Sequence, residues 1–188
     1  MKNIGIVFLL LSLASCSPPP STPSPPPPAS VPASTALKDS AKAKFIELNQ
    51  AMFHDDFDKL VDFTHPNVLK IAGGRQALKE VMMEGAKQMR ATGIPSPTID
   101  AVSDPVAAES DVFLVITYRT ELKSATRLLQ GNTFVIAVSP NQGGTWYFVN
   151  GDLPPENIQQ AIPNLPPTLK LPPRQQPIVT EIPSPTVR

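Results

Sequence analysis

The histidines and carboxylates are the first residues to examine for chemistry, because the chain of 188 residues contains only two histidines and one cysteine. His54 and His65 lie 11 residues apart, and neither belongs to the HxxxH or HxxE spacing that places two metal ligands on one helical face. Four aspartates follow His54 in a pattern typical of a helix cap and a solvated helix face: Asp55, Asp56, Asp58 and Asp62. The sequence therefore predicts no metal site and no cofactor.

The one cysteine stands at the end of a short apolar stretch near the amino terminus. A basic start is followed by a mostly apolar run over residues 4–13 and then by Leu13-Ala14-Ser15-Cys16. The run is too short to span a bilayer as a helix, and this order of residues is typical of a secretory signal. A plain signal peptide with a free thiol and an uncleaved anchor are the alternatives to the interpretation that follows.

Leu13-Ala14-Ser15-Cys16 resembles the bacterial lipobox. The resemblance implies cleavage before Cys16, acylation of Cys16 with fatty acids such as palmitate, and a permanent membrane anchor through those acyl chains. It places the protein in the bacterial cell envelope, facing the periplasm or the cell exterior. Ser17 stands where an aspartate would favour the inner membrane, so the outer membrane is favoured.

Proline divides the chain into four parts. Of 24 prolines, nine fall in residues 18–32 and ten in residues 154–185. Such segments bury too little apolar area to offset the entropy of folding. We therefore predict a signal peptide (1–15), a Pro/Ser-rich tether (16–35), a folded domain (36–163) and a disordered Pro-rich tail (164–188). Charge is balanced at 16 Lys+Arg against 16 Asp+Glu, which excludes the electrostatic footprint of a nucleic-acid-binding protein.

The middle of the chain reads as helices followed by strands. Apolar residues recur at helical spacing from Leu37 to Phe53, in a short piece around Leu60, and from Leu78 to Met89. Alternation then predicts strands over 111–122, 126–138 and 145–152, a weak strand over 98–103, and a short helix after Pro154-Pro155. This order predicts an α+β fold with N-terminal helices packed on an antiparallel sheet.

Four segments resemble the nuclear transport factor 2-like (SnoaL-like) superfamily. They are Phe53-His54-Asp55-Asp56-Phe57-Asp58-Lys59-Leu60 with His65-Pro66-Asn67-Val68, then Gly73-Gly74-Arg75-Gln76-Ala77-Leu78, then Gly144-Thr145-Trp146-Tyr147-Phe148-Val149-Asn150-Gly151-Asp152. The resemblance implies a cystatin-like cone, in which a curved sheet wraps around a long helix and leaves a pocket at its wide end. Family enzymes place a carboxylate base in that cone. Many members have an aspartate after the His-Pro step, where this chain has Asn67, which cannot act as a base.

Aromatic residues near the end of the domain are the candidate ligand-binding residues. Two aromatic rings with a convergent polar group are typical of a small-molecule pocket, although a filled core is the alternative. The candidates are Tyr118, Trp146, Phe148 and Asn150.

Three functions remain open from the sequence. The first is a non-enzymatic, membrane-tethered domain that binds a small apolar ligand or an envelope protein. The second is an envelope isomerase or dehydratase that uses Asp100, Tyr118 or Asp152 in the cone. The third is a structural protein that acts through its Pro-rich tail. We also predict a homodimer, with the strand face that carries Phe113 and Val115 as its interface.

Overall fold

The computed structural model describes residues 34–92, 96–123 and 127–181. The predicted signal peptide, the lipobox with Cys16 and nearly all of the tether lie outside these residues. Gly93 and Pro95, residue types that suit the end of the helix predicted from Leu78 to Met89, also lie outside. The same holds for Ser124 and Ala125, between the strands predicted over 111–122 and 126–138, and for Thr126, with which the second of these strands was predicted to begin.

The described residues contain five helices: α1 (Ser34–Phe53), α2 (Phe57–Asp62), α3 (Pro66–Ile71), α4 (Arg75–Thr92) and α5 (Pro155–Ala161). Local side chains start two of them. The Asp56 carboxylate accepts the Lys59 N–H at 3.1 Å and caps α2, while His65 Nδ1 accepts the Asn67 N–H at 3.3 Å and caps α3. None of the described helices combines the length and apolar character needed to cross a membrane.

The six described strands form one antiparallel sheet: β1 (Ser96–Val102), β2 (Val106–Ala108), β3 (Asp111–Lys123), β4 (Arg127–Ser139), β5 (Tyr147–Asn150) and β6 (Ile178–Glu181). The spatial order is β1-β3-β4-β5, with β2 added to β3 and β6 added to β4. The predicted α+β class with an antiparallel sheet is confirmed. β3 and β4 pair along their whole length and form its centre.

The first face of the sheet packs against α1. Alternate residues Leu114 and Ile116 of β3 are buried there with Leu37, Ala41 and Phe45 of the helix. The apolar spacing that predicted α1 therefore corresponds to its buried stripe. Trp146 and Phe148 also pack on this face.

The second face is covered by the chain's own C-terminal part. Phe113 and Val115 pack there with α5 and with Leu165 and Leu169, which follow it. Because both strand residues are buried within one chain, they cannot form the surface on which the homodimer was expected. The homodimer itself stays a prediction.

Two predictions about the C-terminal part are wrong. The folded domain does not end at residue 163, because Leu169 is buried in the second core cluster. Nor is the segment beyond Pro172 without structure, because Ile178–Glu181 form β6 on the edge of β4. The high proline content predicted disorder, but Leu169 and the strand β6 each lie in a short stretch between prolines that joins the fold. Residues 182–188 lie outside the described part.

Smaller differences concern element ends and faces. Val68, Leu69 and Ile71, an apolar stretch for which the sequence predicted no element, belong to helix α3, which Pro66 opens in its first turn. β5 begins at Tyr147, two residues later than expected, because Thr145 belongs to the preceding turn and its N–H is bound by the Asn141 side chain at 2.6 Å. Val81, one of the apolar residues whose spacing predicts the helix from Leu78 to Met89, is 66% exposed.

Candidate functional site: recesses at the sheet and beside α1

Trp146 and Phe148 lie in the filled core of the first face. The Trp146 indole N–H donates to Ser40 Oγ at 3.0 Å, and the ring is almost fully buried. The Phe148 ring packs against Phe45 and Phe63, with centroids 5.8 and 5.9 Å apart. Both side chains are therefore enclosed by the chain's own residues, and their predicted role in ligand binding stays a prediction.

Tyr118 and Asn150 are placed differently from each other. The Tyr118 ring packs against Phe45 at 5.0 Å and continues the same core cluster toward the sheet edge. Asn150 is exposed, and its Oδ1 accepts the Asp152 N–H at 2.9 Å. The structure thus brings three of the four candidates into one cluster and uses the fourth to shape the turn after β5.

A set of hydrogen-bonded polar side chains lies at the end of this cluster. Thr133 Oγ1 donates to Asp152 Oδ2 at 2.6 Å, and Thr133 is the cross-strand partner of Tyr118. Burial raises the pKa of the Tyr118 hydroxyl above its ordinary value, the nearby Asp152 charge raises it further, and a hydrogen bond with Thr133 acts in the opposite direction. The phenol is therefore kept neutral and can act as a hydrogen-bond donor.

A recess of about 210 Å³ adjoins these polar side chains. Asp100, Tyr118 and Asp152, the three residues proposed from the sequence for catalysis, all border it. Asp100 is paired with Arg119 Nε at 2.8 Å. Residues 172–175 form one wall, and sequence reasoning missed them because they were assigned to a tail. The complete lining is Asp100, Thr117, Tyr118, Asn132, Thr133, Phe134, Asp152, Pro172, Pro173, Arg174 and Gln175.

A second polar recess of about 310 Å³ lies beside the first and shares two residues with it. Those residues, Asn132 and Gln175, join β4 to the C-terminal segment through an Nδ2–Oε1 hydrogen bond of 2.9 Å. The charged group Glu121 accepts from Gln130 at 3.2 Å. Both hydrogen bonds join polar side chains that line this recess.

An apolar groove of about 170 Å³ lies between α1 and β1. Phe45 and Ile99 form its floor, and Ile46 and Phe53 are 43% and 41% exposed. Two amide side chains, Asn49 and Gln50, also line it. Apolar walls with a few polar groups are typical of sites for small apolar molecules.

The remaining polar clusters have structural roles. His54 is exposed in the turn after α1, whereas His65 caps α3 and its ring lies edge-on to Tyr147 at 5.9 Å. Asp58 and Asp62 form exposed ion pairs with residues of α4. Within the described residues, no three acidic, histidine or cysteine side chains lie close enough to hold a metal ion.

Comparison of the chain with protein-family models, with curated proteins and with solved structures finds no match.

Proposed function

We propose that this protein is a lipid-anchored lipoprotein of the bacterial cell envelope whose folded domain binds a small apolar ligand or a protein partner. The observation that carries the proposal is Leu13-Ala14-Ser15-Cys16, which follows directly on the apolar run and contains the only cysteine of the chain. The Pro/Ser-rich residues between Cys16 and the start of α1 at Ser34 suit a spacer.

We further propose that the domain is related to the nuclear transport factor 2-like cone. Support comes from the order of its elements, helices first and antiparallel strands afterwards, and from the packing of the long helix α1 across one sheet face. The second face is covered by α5 and Leu169, so any ligand site of the cone type would lie on the α1 side.

The groove between α1 and β1 is the place we propose for an apolar ligand. It is the α1-side recess whose walls are mainly apolar, and Ile46 and Phe53 leave part of their side chains accessible there. Binding rather than catalysis is favoured because the described histidines cap or flank helices and neither borders this groove. Mass spectrometry of small molecules extracted from the purified protein tests this part. Ile46→Gln with Phe53→Gln should abolish co-purification, whereas Val81→Gln, on α4, should not.

The membrane anchor is tested by Cys16→Ser in the full chain. We expect the wild-type protein to incorporate a labelled fatty acid and to stay in the membrane pellet after a high-salt wash. The serine variant should lose the label, because a hydroxyl cannot replace the thiol that the pathway acylates. Its fold should be unchanged, because the substituted residue lies 18 residues before the first residue of α1.

Ser17→Ala is the matched control, because it changes the neighbouring residue and keeps the thiol. It should be labelled like the wild type. Label retained by Cys16→Ser, or a wild-type protein that is soluble and unlabelled, would contradict the lipoprotein proposal.

An envelope enzyme is the second candidate function, favoured by one observation. Tyr118, Asp152 and Asp100 border one recess, and the Tyr118 phenol is held neutral beside a carboxylate. Such a pair can donate and accept a proton at a bound carbonyl compound.

The electrostatic link between these residues can be measured directly. In a Tyr147→Phe background, which leaves Tyr118 as the only tyrosine, Asp152→Asn should lower the phenol pKa toward its ordinary value because it removes a negative charge. Ultraviolet titration of the phenolate measures the shift, and Asp111→Asn serves as a control away from the recess. An unchanged titration would remove the pairing on which the enzyme candidate depends.

A further inference from the structure

The strand β6 is held to the sheet in an unusual way. Ile178–Glu181 pair with only four residues of β4, Arg127–Gln130. All four β6 side chains are exposed, including the apolar Ile178 at 65% and Val179 at 57%. The strand therefore depends on its backbone ladder and gains almost nothing from side-chain burial. Such edges open locally far more readily than the core.

The segment before β6 makes few hydrogen bonds that would prevent β6 from leaving the sheet. Leu169 is the last buried residue of the part that the structure describes, and residues 170–177 contain Pro172, Pro173 and Pro177. Among the described residues, none of the loop and turn backbone hydrogen bonds involves 170–177, and the side-chain bond from Asn132 to Gln175 is the tie that is seen. At roughly 3.1 Å per residue, this extended piece reaches about 25 Å. Opening therefore breaks no helix and no turn.

The edge of β4 that β6 would leave pairs with one particular segment in a fixed register. Arg127–Gln130 accept Ile178–Glu181 in a defined antiparallel register, with Leu129 opposite Val179. β5 occupies the same edge only farther along, at Val135–Val138. An open copy thus exposes a strand edge and carries, on a long flexible arm, the segment that fits an identical edge.

We propose that β6 is exchanged between two copies of this chain, so that Ile178–Glu181 of each molecule pair with Arg127–Gln130 of the other. Exchange remakes every ladder contact of the single chain, so the two forms differ mainly in the path of residues 170–177 and in the entropy of association. The resulting contact is isologous and closes as a dimer. It uses neither the buried second sheet face nor the apolar groove beside α1.

Two single-cysteine versions of the full chain test the exchange. Both carry Cys16→Ser, and one adds Leu129→Cys while the other adds Val179→Cys. Directly opposed residues of an antiparallel pair lie within disulfide range. The two are mixed in mild detergent at micromolar concentration and oxidised gently. We expect mixed dimers joined through positions 129 and 179 to exceed both same-site dimers several-fold, as identified by peptide masses.

Random collision is separated from exchange by two controls. Thr180→Pro with Glu181→Pro in the Val179→Cys chain removes at least one ladder donor, since alternate N–H groups of an edge strand face its neighbour, and should return mixed dimers to the random share. Glu121→Cys with Gln130→Cys, in the Cys16→Ser chain, links β3 to β4 and should give only cross-links within one chain. Mixed dimers at the random share in the first experiment, or unaffected by the two prolines, would overturn the proposal.

Discussion

At the scale of single residues, His65 couples local structure to pH. Its Nδ1 must be unprotonated to accept the Asn67 N–H, and burial lowers its pKa below 6.5, an effect that Lys70 reinforces and Asp111 opposes. The unfolded chain thus takes up a proton near pH 6.5, and the folded chain only at lower pH. The free energy of unfolding should therefore fall as the pH decreases through this window. Above the window, the stabilising contribution of His65 is fully present.

The corresponding variant is His65→Asn, which keeps a side-chain acceptor at the cap but does not titrate. Denaturant unfolding at pH 7 and pH 5 should show a smaller loss of stability for this variant than for the wild type. His54→Asn, in the exposed turn, should keep the wild-type loss. If His65→Asn lost as much stability as the wild type, protonation of the cap would not be the cause.

Ser40 shows how a single hydroxyl joins distant elements. Its Oγ accepts the Trp146 N–H at 3.0 Å and donates to the Gly143 carbonyl at 3.2 Å, so it ties α1 to the turn before β5. The indole N–H is thereby satisfied inside the core. This hydrogen bond lets the Trp146 ring stay buried without leaving an unpaired donor in the core.

At the scale of elements, two glycines should respond in opposite ways to the same substitution. A Cβ at Gly151, which follows β5, would lie 2.3 Å from the Phe134 ring, whereas a Cβ at Gly85 of α4 would meet nothing within 4 Å. Gly151→Ala should therefore lower the free energy of unfolding by about 1–3 kcal/mol through overpacking. Gly85→Ala should raise it by about 0.5–1 kcal/mol, because alanine is the better helix former.

Thermal and denaturant unfolding of both variants measure this difference. Equal effects of the two substitutions would mean that the Phe134 ring can move aside, and the close approach of the turn to β4 would then not be a constraint.

The sequence predicted these elements where one physical signal was dominant. Strict alternation placed Leu114 and Ile116 on one face and Phe113 and Val115 on the other, and the two core clusters follow that division. The strand β6 was not predicted, because it has only four residues and lies among prolines, so that neither periodicity nor composition identified it. The strand forms because it pairs with an edge of β4, and the local sequence around residues 178–181 does not show that this edge is available.

The candidate site could be predicted only in part for a related reason. Aromatic and polar residue types singled out Tyr118 and Trp146, but the sequence does not say whether space remains between them. In the fold, Phe45 of α1 fills the position next to Tyr118. Cavities are left at the recess bordered by Asp152 and at the groove beside Phe53, where the fit between separate elements is incomplete.

At the scale of the whole molecule, the sheet is apolar on both faces and the chain covers each face with a different end. α1 covers the first face, while α5 and the residues up to Leu169 cover the second. The C-terminal segment therefore belongs to the folded domain as far as Leu169, and beyond it the hydrogen bond between Asn132 and Gln175 and the edge pairing of β6 join it to β4. A lipid anchor at one end and an exchangeable strand at the other would leave the groove beside α1 accessible, whereas exchange would alter the walls that residues 172–176 and Ile178 give to the two recesses.

This division of the C-terminal segment predicts opposite outcomes for two matched truncations of apolar side chains. Leu169 is 7% exposed and packs in the second core cluster, whereas Val179 of β6 is 57% exposed. Leu169→Ala should lower the free energy of unfolding by about 2–5 kcal/mol, because it leaves a cavity against the sheet. Val179→Ala should change it by less than about 0.5 kcal/mol, as exposed positions do. Denaturant unfolding followed by Trp146 fluorescence measures both. Equal small effects would show that the second face is stable without its C-terminal cover, and the domain would then end with α5.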